Sequence, residues 1–242
     1  MTTQYGSSEA MGREMVKHAS TEVRLGFIRK VYGILSAQLM LTVVIAAPIC
    51  TLGPVWAQGH TWMLAVSMVF MIGTMCSMMC CQDKLRTYPT NYIFLFVLTA
   101  AMSVLVGFSS AMYTWQSVVL SAGITMAIFL AMTIYAWNTT QDFTGFGPYL
   151  MGALFGLIAF GFVLSIMSMF GVEVKWAMIL YDACGVLLFT FYIVFDTQLI
   201  LGEYGGHKHG FSIDDYVFAS LQLYLDIINL FLHILRLMGD RR

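Results

Sequence analysis

Four polar residues, Gln222, Asp226, Asn229 and His233, fall 4, 3 and 4 positions apart inside the otherwise apolar stretch Tyr216 to Met238. That spacing stacks them on one face of a helix. An ionisable Asp among Leu, Ile, Phe and Tyr must face protein, water or an ion, because placing it at a bilayer centre costs about 2.5–3.5 kcal/mol. The helix therefore belongs inside a bundle. The nearest acidic residue equally deep in apolar sequence is Asp196, in the run FYIVFDTQLIL. On helices entered from the cytosolic side, Asp196 lies about 8 Å and Asp226 about 16 Å from the ends, at 1.5 Å per residue. A tilt or a late helix start closes that gap. Two carboxylates in contact cannot both stay ionised without a cation. They either share a proton, which ties their helices together, or ionise, which drives them apart or admits a divalent cation. The alternative is that each Asp is satisfied separately by donors at helix ends.

Asp182 is a third carboxylate, fourteen residues before Asp196. Close to four turns separate them, so both share nearly one face about 21 Å apart. Asp182 is thus either an outer way-station for a cation or a solvated residue near a helix end. Lys84 and Arg86 follow the second apolar run and read as topology signals able to snorkel to water. His207, Lys208 and His209 read as a pH-sensitive loop.

The elements that must position these residues follow from composition. Hydrophobic residues make up 59% of the 242, charged residues 10%, and mean hydropathy is +0.78, the profile of a polytopic membrane protein. A net charge of −1 offers no basic field for nucleic acid. The first thirty residues lack an apolar core, so no cleavable signal is expected and the first span acts as the insertion signal. Five cysteines without zinc spacing argue against a disulfide framework and a metal cage. Apolar runs long enough to cross a bilayer fall near 31–52, 61–81, 91–113, 115–137, 149–170, 176–201 and 215–238. The expected fold is an all-α seven-helix transmembrane bundle: a polar, partly amphipathic cytosolic tail over 1–30 and one membrane domain over 31–242. The positive-inside rule places the N-terminus and the sequon at Asn138 in the cytosol. It conflicts with length at the end of the chain, because a seventh span leaves Arg236, Arg241 and Arg242 outside. Six spans plus a re-entrant helix is therefore the alternative. Gly152, Gly156 and Gly161 are expected to mark close helix packing.

Several stretches together resemble one family: Val23 to Ser36 (VRLGFIRKVYGILS), Tyr88-Pro89-Thr90-Asn91, Phe195-Asp196-Thr197-Gln198-Leu199, and Tyr224 to Phe231 (YLDIINLF). They look like the Bax-inhibitor/lifeguard family, and Phe27 to Tyr32 and Leu230 to His233 most resemble its Golgi anti-apoptotic member. The resemblance implies a bundle whose last helix is central and surrounded by six others. It also implies a pH-sensitive Ca²⁺ leak in which Asp196 and Asp226 form the sensor, with a basic residue after the second span, Arg86 or Lys84, linked to it. It implies suppression of cell death from Golgi or endoplasmic reticulum membranes, with apoptosis regulators as partners beside lipid and Ca²⁺. Ca²⁺ is then the transported ion, and neither a cofactor nor catalytic residues are expected. Two other classes compete. An intramembrane aspartyl protease also sets two aspartates on neighbouring helices, and Tyr181-Asp182 echoes its first motif, although Asp226 sits in Leu-Tyr-Leu-Asp rather than Gly-x-Gly-Asp. A non-conducting scaffold binding death regulators is the third.

Overall fold

The computed structural model describes residues 21–80, 89–172 and 174–242. Among these residues seven α-helices account for the architecture: α1 (Thr21–Gly59), α2 (Thr61–Cys80), α3 (Thr90–Ala111), α4 (Trp115–Asn138), α5 (Gly147–Met169), α6 (Lys175–Leu201) and α7 (Tyr216–Met238). Short 3₁₀ turns at Thr144–Phe146 and Gly202–Gly205 flank α5 and α6. Six of the seven are long and apolar enough to cross a membrane, and α2 contributes a shorter apolar stretch, Thr61–Thr74.

Local chemistry sets the breaks. Gly53, at φ 78° and ψ −179°, interrupts α1 beside Pro54, where a proline has no N–H to continue the ladder. The Thr114 side chain caps α4 by accepting from the Ser117 amide, and proline in the first turn of α5 costs no hydrogen bond. Gly202 ends α6 at φ 49°, and a Cβ there would strike the Arg24 guanidinium. Glycine thus meets both a conformational and a spatial demand.

The helix α7 is the axis. It packs on α6, α1, α4 and α3, and 72% of its apolar window is buried, against 6% for the helix containing α5. Leu221, Leu223, Tyr224 and Leu230 of α7 meet Leu35, Leu95, Leu98 and Ile193 in the core. The outer helices are apolar all round because one side meets protein and the other lipid. This explains a departure from expectation on α5: Gly152 and Gly156 have no neighbour within reach of a Cβ, and only Gly161 admits a close contact, the Tyr181 ring.

The two ends of α7 lie at opposite faces. At the proximal face, where α1 begins, Lys30 Nζ sits 5.2 Å from the Tyr216 ring centroid. At the distal face the segment after α7 pairs with the α3–α4 turn through an antiparallel bridge between Tyr113 and Arg241. The Thr114 amide donates to the Asp240 carbonyl at 2.9 Å, and the Arg242 amide to that of Met112 at 2.9 Å. The re-entrant alternative is therefore corrected: α7 runs from one face to the other. Charge counting misleads here because it ignores partners. Arg236 is held by Asp182 and Arg241 lies over the Tyr113 ring.

Candidate functional site

The stagger of α6 against α7 brings Asp196 and Asp226 together, with their carboxyl groups in hydrogen-bonding contact. Both are buried, at 2% and 6% exposure, and the Tyr192 phenol of α6 is near both. Asp226 Oδ2 is buried and accepts no hydrogen bond among the described residues. Nor does either carboxylate form a salt bridge there. A pair of this kind is held by a shared proton, or by a cation once both groups ionise. Lys84 and Arg86, the expected basic partners, lie outside the described residues.

The rest of the expected polar face divides. Gln222 is exposed, and Asn229 is half-buried with its amide donating to the Leu225 carbonyl at 2.8 Å. Neither joins the carboxyl pair. His233 belongs to a second centre near the distal face. Its Nδ1 lies 2.8 Å from Asp182 Oδ1, the Arg236 Nε donates to the same oxygen at 2.8 Å, and Arg236 Nη2 is 2.9 Å from His233 Nδ1. Tyr181 and Phe189 flank the imidazole, and Gly185 leaves room for it where a Cβ would overlap the ring. Asp182 is therefore not the solvated residue of one reading: it is 6% exposed, and its Oδ1 is met by Arg236 and His233. Nor is it a free cation ligand or the protease-like partner of Asp226, because Arg236 already neutralises it.

Two further polar arrangements escape the reading from ionisable residues alone. Between α1, α3 and α7, the Gln38 amide donates to Thr99 Oγ1 at 3.0 Å and the Ser103 hydroxyl to Thr42 Oγ1 at 3.2 Å. Thr42 in turn meets the Tyr224 hydroxyl at 2.8 Å. The signal was present as Gln38/Thr42 and Thr99/Ser103, each four apart on one helical face. Tyr224 points opposite to Asp226, so α7 carries polar groups on two sides.

The second arrangement covers the proximal end of α6. Fully buried Gln198 accepts from the Phe143 amide at 2.7 Å and donates to the Gln141 carbonyl at 2.9 Å. In the same loop, Asp142 accepts from the Thr144 hydroxyl and amide and from the Lys208 amide, with His207 Nδ1 at 3.6 Å. Burial works against ionisation of Asp142, but the Thr144 and Lys208 hydrogen bonds and nearby His207 outweigh it, so its pKa is lowered. Burial pushes His207 down, helped by Arg24 and only partly opposed by Asp142. The α4–α5 and α6–α7 loops are thus clasped together two residues beyond Asp196. The larger cavity, about 440 Å³, lies elsewhere: it is an apolar crevice between α1 and α4 floored by Ile227, Ile228 and Phe231.

A membrane bundle with a carboxyl pair on its central helix and a clasp above it can now be set beside known proteins. The family model for the inhibitor of apoptosis-promoting Bax1 matches residues 24–242. The chain belongs to the Bax-inhibitor family. Similar relatives include human protein lifeguard 3, 38% identical over 222 residues, covering 91% of this chain and 70% of the relative. Mouse protein lifeguard 3 is 32% identical over 242 residues, covering 98% and 77%. Bax inhibitor 1 of Schizosaccharomyces pombe is 32% identical over 231 residues, covering 93% and 80%. As a member of the Bax-inhibitor family, the chain is a multi-pass integral membrane protein, and its family relatives are named for inhibiting apoptosis rather than for catalysis.

Proposed function

We propose that the chain is a pH-sensitive Ca²⁺ leak channel, or H⁺/Ca²⁺ exchanger, of a Golgi or endoplasmic reticulum membrane, and that it inhibits apoptosis by lowering stored Ca²⁺. The observation that carries this reading is the Asp196 and Asp226 contact: two buried carboxyl groups on neighbouring helices with no cationic partner among the described residues. A shared proton ties α6 to α7 and closes the path. Loss of that proton leaves two like charges in a low-dielectric setting, and the repulsion is relieved by separation or by a divalent cation. The family name supports the anti-apoptotic part. The test is Ca²⁺ flux from liposomes containing the purified protein at pH 6 and pH 8. Flux that responds to pH is expected in the wild type, with a flattened profile in Asp196→Asn and Asp226→Asn. The double variant should differ little from the worse single one, because the two groups act as a unit. Additive effects or an unchanged profile would refute the shared-proton gate. Peptide cleavage without flux would favour an aspartyl protease, and neither activity a scaffold.

A further inference from the structure

A second cavity of about 350 Å³ opens at the distal face between the α3–α4 turn and the end of α7. Its lining includes Leu232, Leu235 and Arg236 along one face of α7, with Tyr113, Arg241 and Arg242 from the segments packed beside it. Three guanidinium groups line one cavity, Arg241 over the Tyr113 ring, and an anion among them would relieve their mutual repulsion. Asp182 supplies a partner to Arg236 alone. Asp240, the acidic residue in the same segment, is exposed, does not line the cavity, and has its backbone occupied by Thr114 and Ser117. Arg241 and Arg242 are both exposed and form no salt bridge among the described residues.

These arginines are also held in place. The amides of Asp240 and Arg242 and the carbonyl of Asp240 are bonded to Ser117, Met112 and Thr114. The bridge to Tyr113 completes the attachment. The level in the membrane is set independently: α2, α4 and α6 each present an exposed tryptophan in the first turn at this face, Trp62, Trp115 and Trp176. Tryptophans so placed mark the headgroup layer. Arginine and leucine side chains lining one cavity at that depth suit a phosphate group carried next to an acyl chain, and guanidinium forks match phosphate oxygens in geometry.

We propose that this cavity is a phosphate-binding site, taking the phosphate either of an anionic phospholipid headgroup or of a free anion. The full-length protein in a neutral detergent would be titrated with short-chain phosphatidylglycerol and, separately, with inorganic phosphate, following binding by calorimetry. Saturable binding of the lipid that is about tenfold weaker in R241Q/R242Q, and weakened less in R241K/R242K, which keeps the charge but loses the fork, is expected. The same loss seen with inorganic phosphate at equal affinity would uphold the site and assign it to a free anion. Undiminished binding in the glutamine variant, or no saturable binding of either probe to the wild type, would overturn the proposal. Arg236 is left intact because its pairing with Asp182 supports the fold. Circular dichroism and melting of the variants confirm that folding is unchanged.

Discussion

The helix α6 carries two buried aspartates, both turned towards α7, and they meet opposite chemistry. Asp182 finds Arg236 and His233, whereas Asp196 finds another carboxyl group. A neutralised acid of the first kind belongs to the packing, since removing its charge strands its donors. The second arrangement is held against electrostatic repulsion. No gain in stability accounts for two acids in contact when an apolar pair would pack without cost. On the function proposed above the proximal centre is the working one, and the distal one belongs to the packing.

The same substitution at the two sites should therefore act with opposite sign. At pH 8, Asp182→Asn is expected to lower stability by about 2 kcal/mol, the scale of losing a charged hydrogen-bond partner. Asp196→Asn should leave stability unchanged or raise it, because an amide ends the repulsion and can still donate to Asp226. Detergent-solubilised protein unfolded by heat or denaturant would report both. Equal destabilisation by the two variants would erase the distinction between the centres.

A smaller effect is expected at the clasp. Gln198→Leu leaves the Phe143 amide and the Gln141 carbonyl without their side-chain partner, a loss of about 1 kcal/mol at this half-exposed loop. The comparison sharpens if this variant alters Ca²⁺ flux more than Asp182→Asn does, since Gln198 lies two residues from Asp196. Equal or lesser change in flux would confine the clasp to a structural role.

The smallest effect concerns pH. His207 has a lowered pKa in the folded protein, so folding favours its neutral form, and that contribution is lost as pH falls through the unfolded value near 6.5. Asp142, also lowered, keeps its contribution until pH falls below the ordinary carboxylate range near 4. Amide protection factors over 142–144 and 207–209 should thus decline first just below neutrality. His207→Gln should abolish that first decline and leave the acidic one. A decline unaltered in that variant would assign it to another group.

Much of this was legible in the sequence, for reasons that differ by region. Length and hydropathy locate the helices because a bilayer imposes one scale on all of them. Asp196 and Asp226 stand out because an acid in apolar sequence has few tolerable surroundings. Asp182 stood out equally, but its partner His233 had been grouped with Asp226 by spacing, and Arg236 had been counted only as a topology signal. Which acid meets which base depends on the stagger of α6 and α7, a tertiary quantity without a local signature. Gln198 was quoted as part of a motif, yet its role rests on a loop 55 residues earlier in the chain. The distal cavity was hidden for the same reason: its walls come from residues more than a hundred positions apart.

The central position of α7 also governs how the protein is made. The ribosome delivers α1 to α6 before α7, so the helices that surround the axis must enter the membrane while the axis is missing. During that interval Asp182 lacks Arg236 and His233, and Asp196 lacks Asp226. Each acid then lacks the partner that offsets the cost of a carboxyl group in apolar surroundings. The unfinished ring is therefore a marginal object whose polar groups invite water or retention by the insertion machinery.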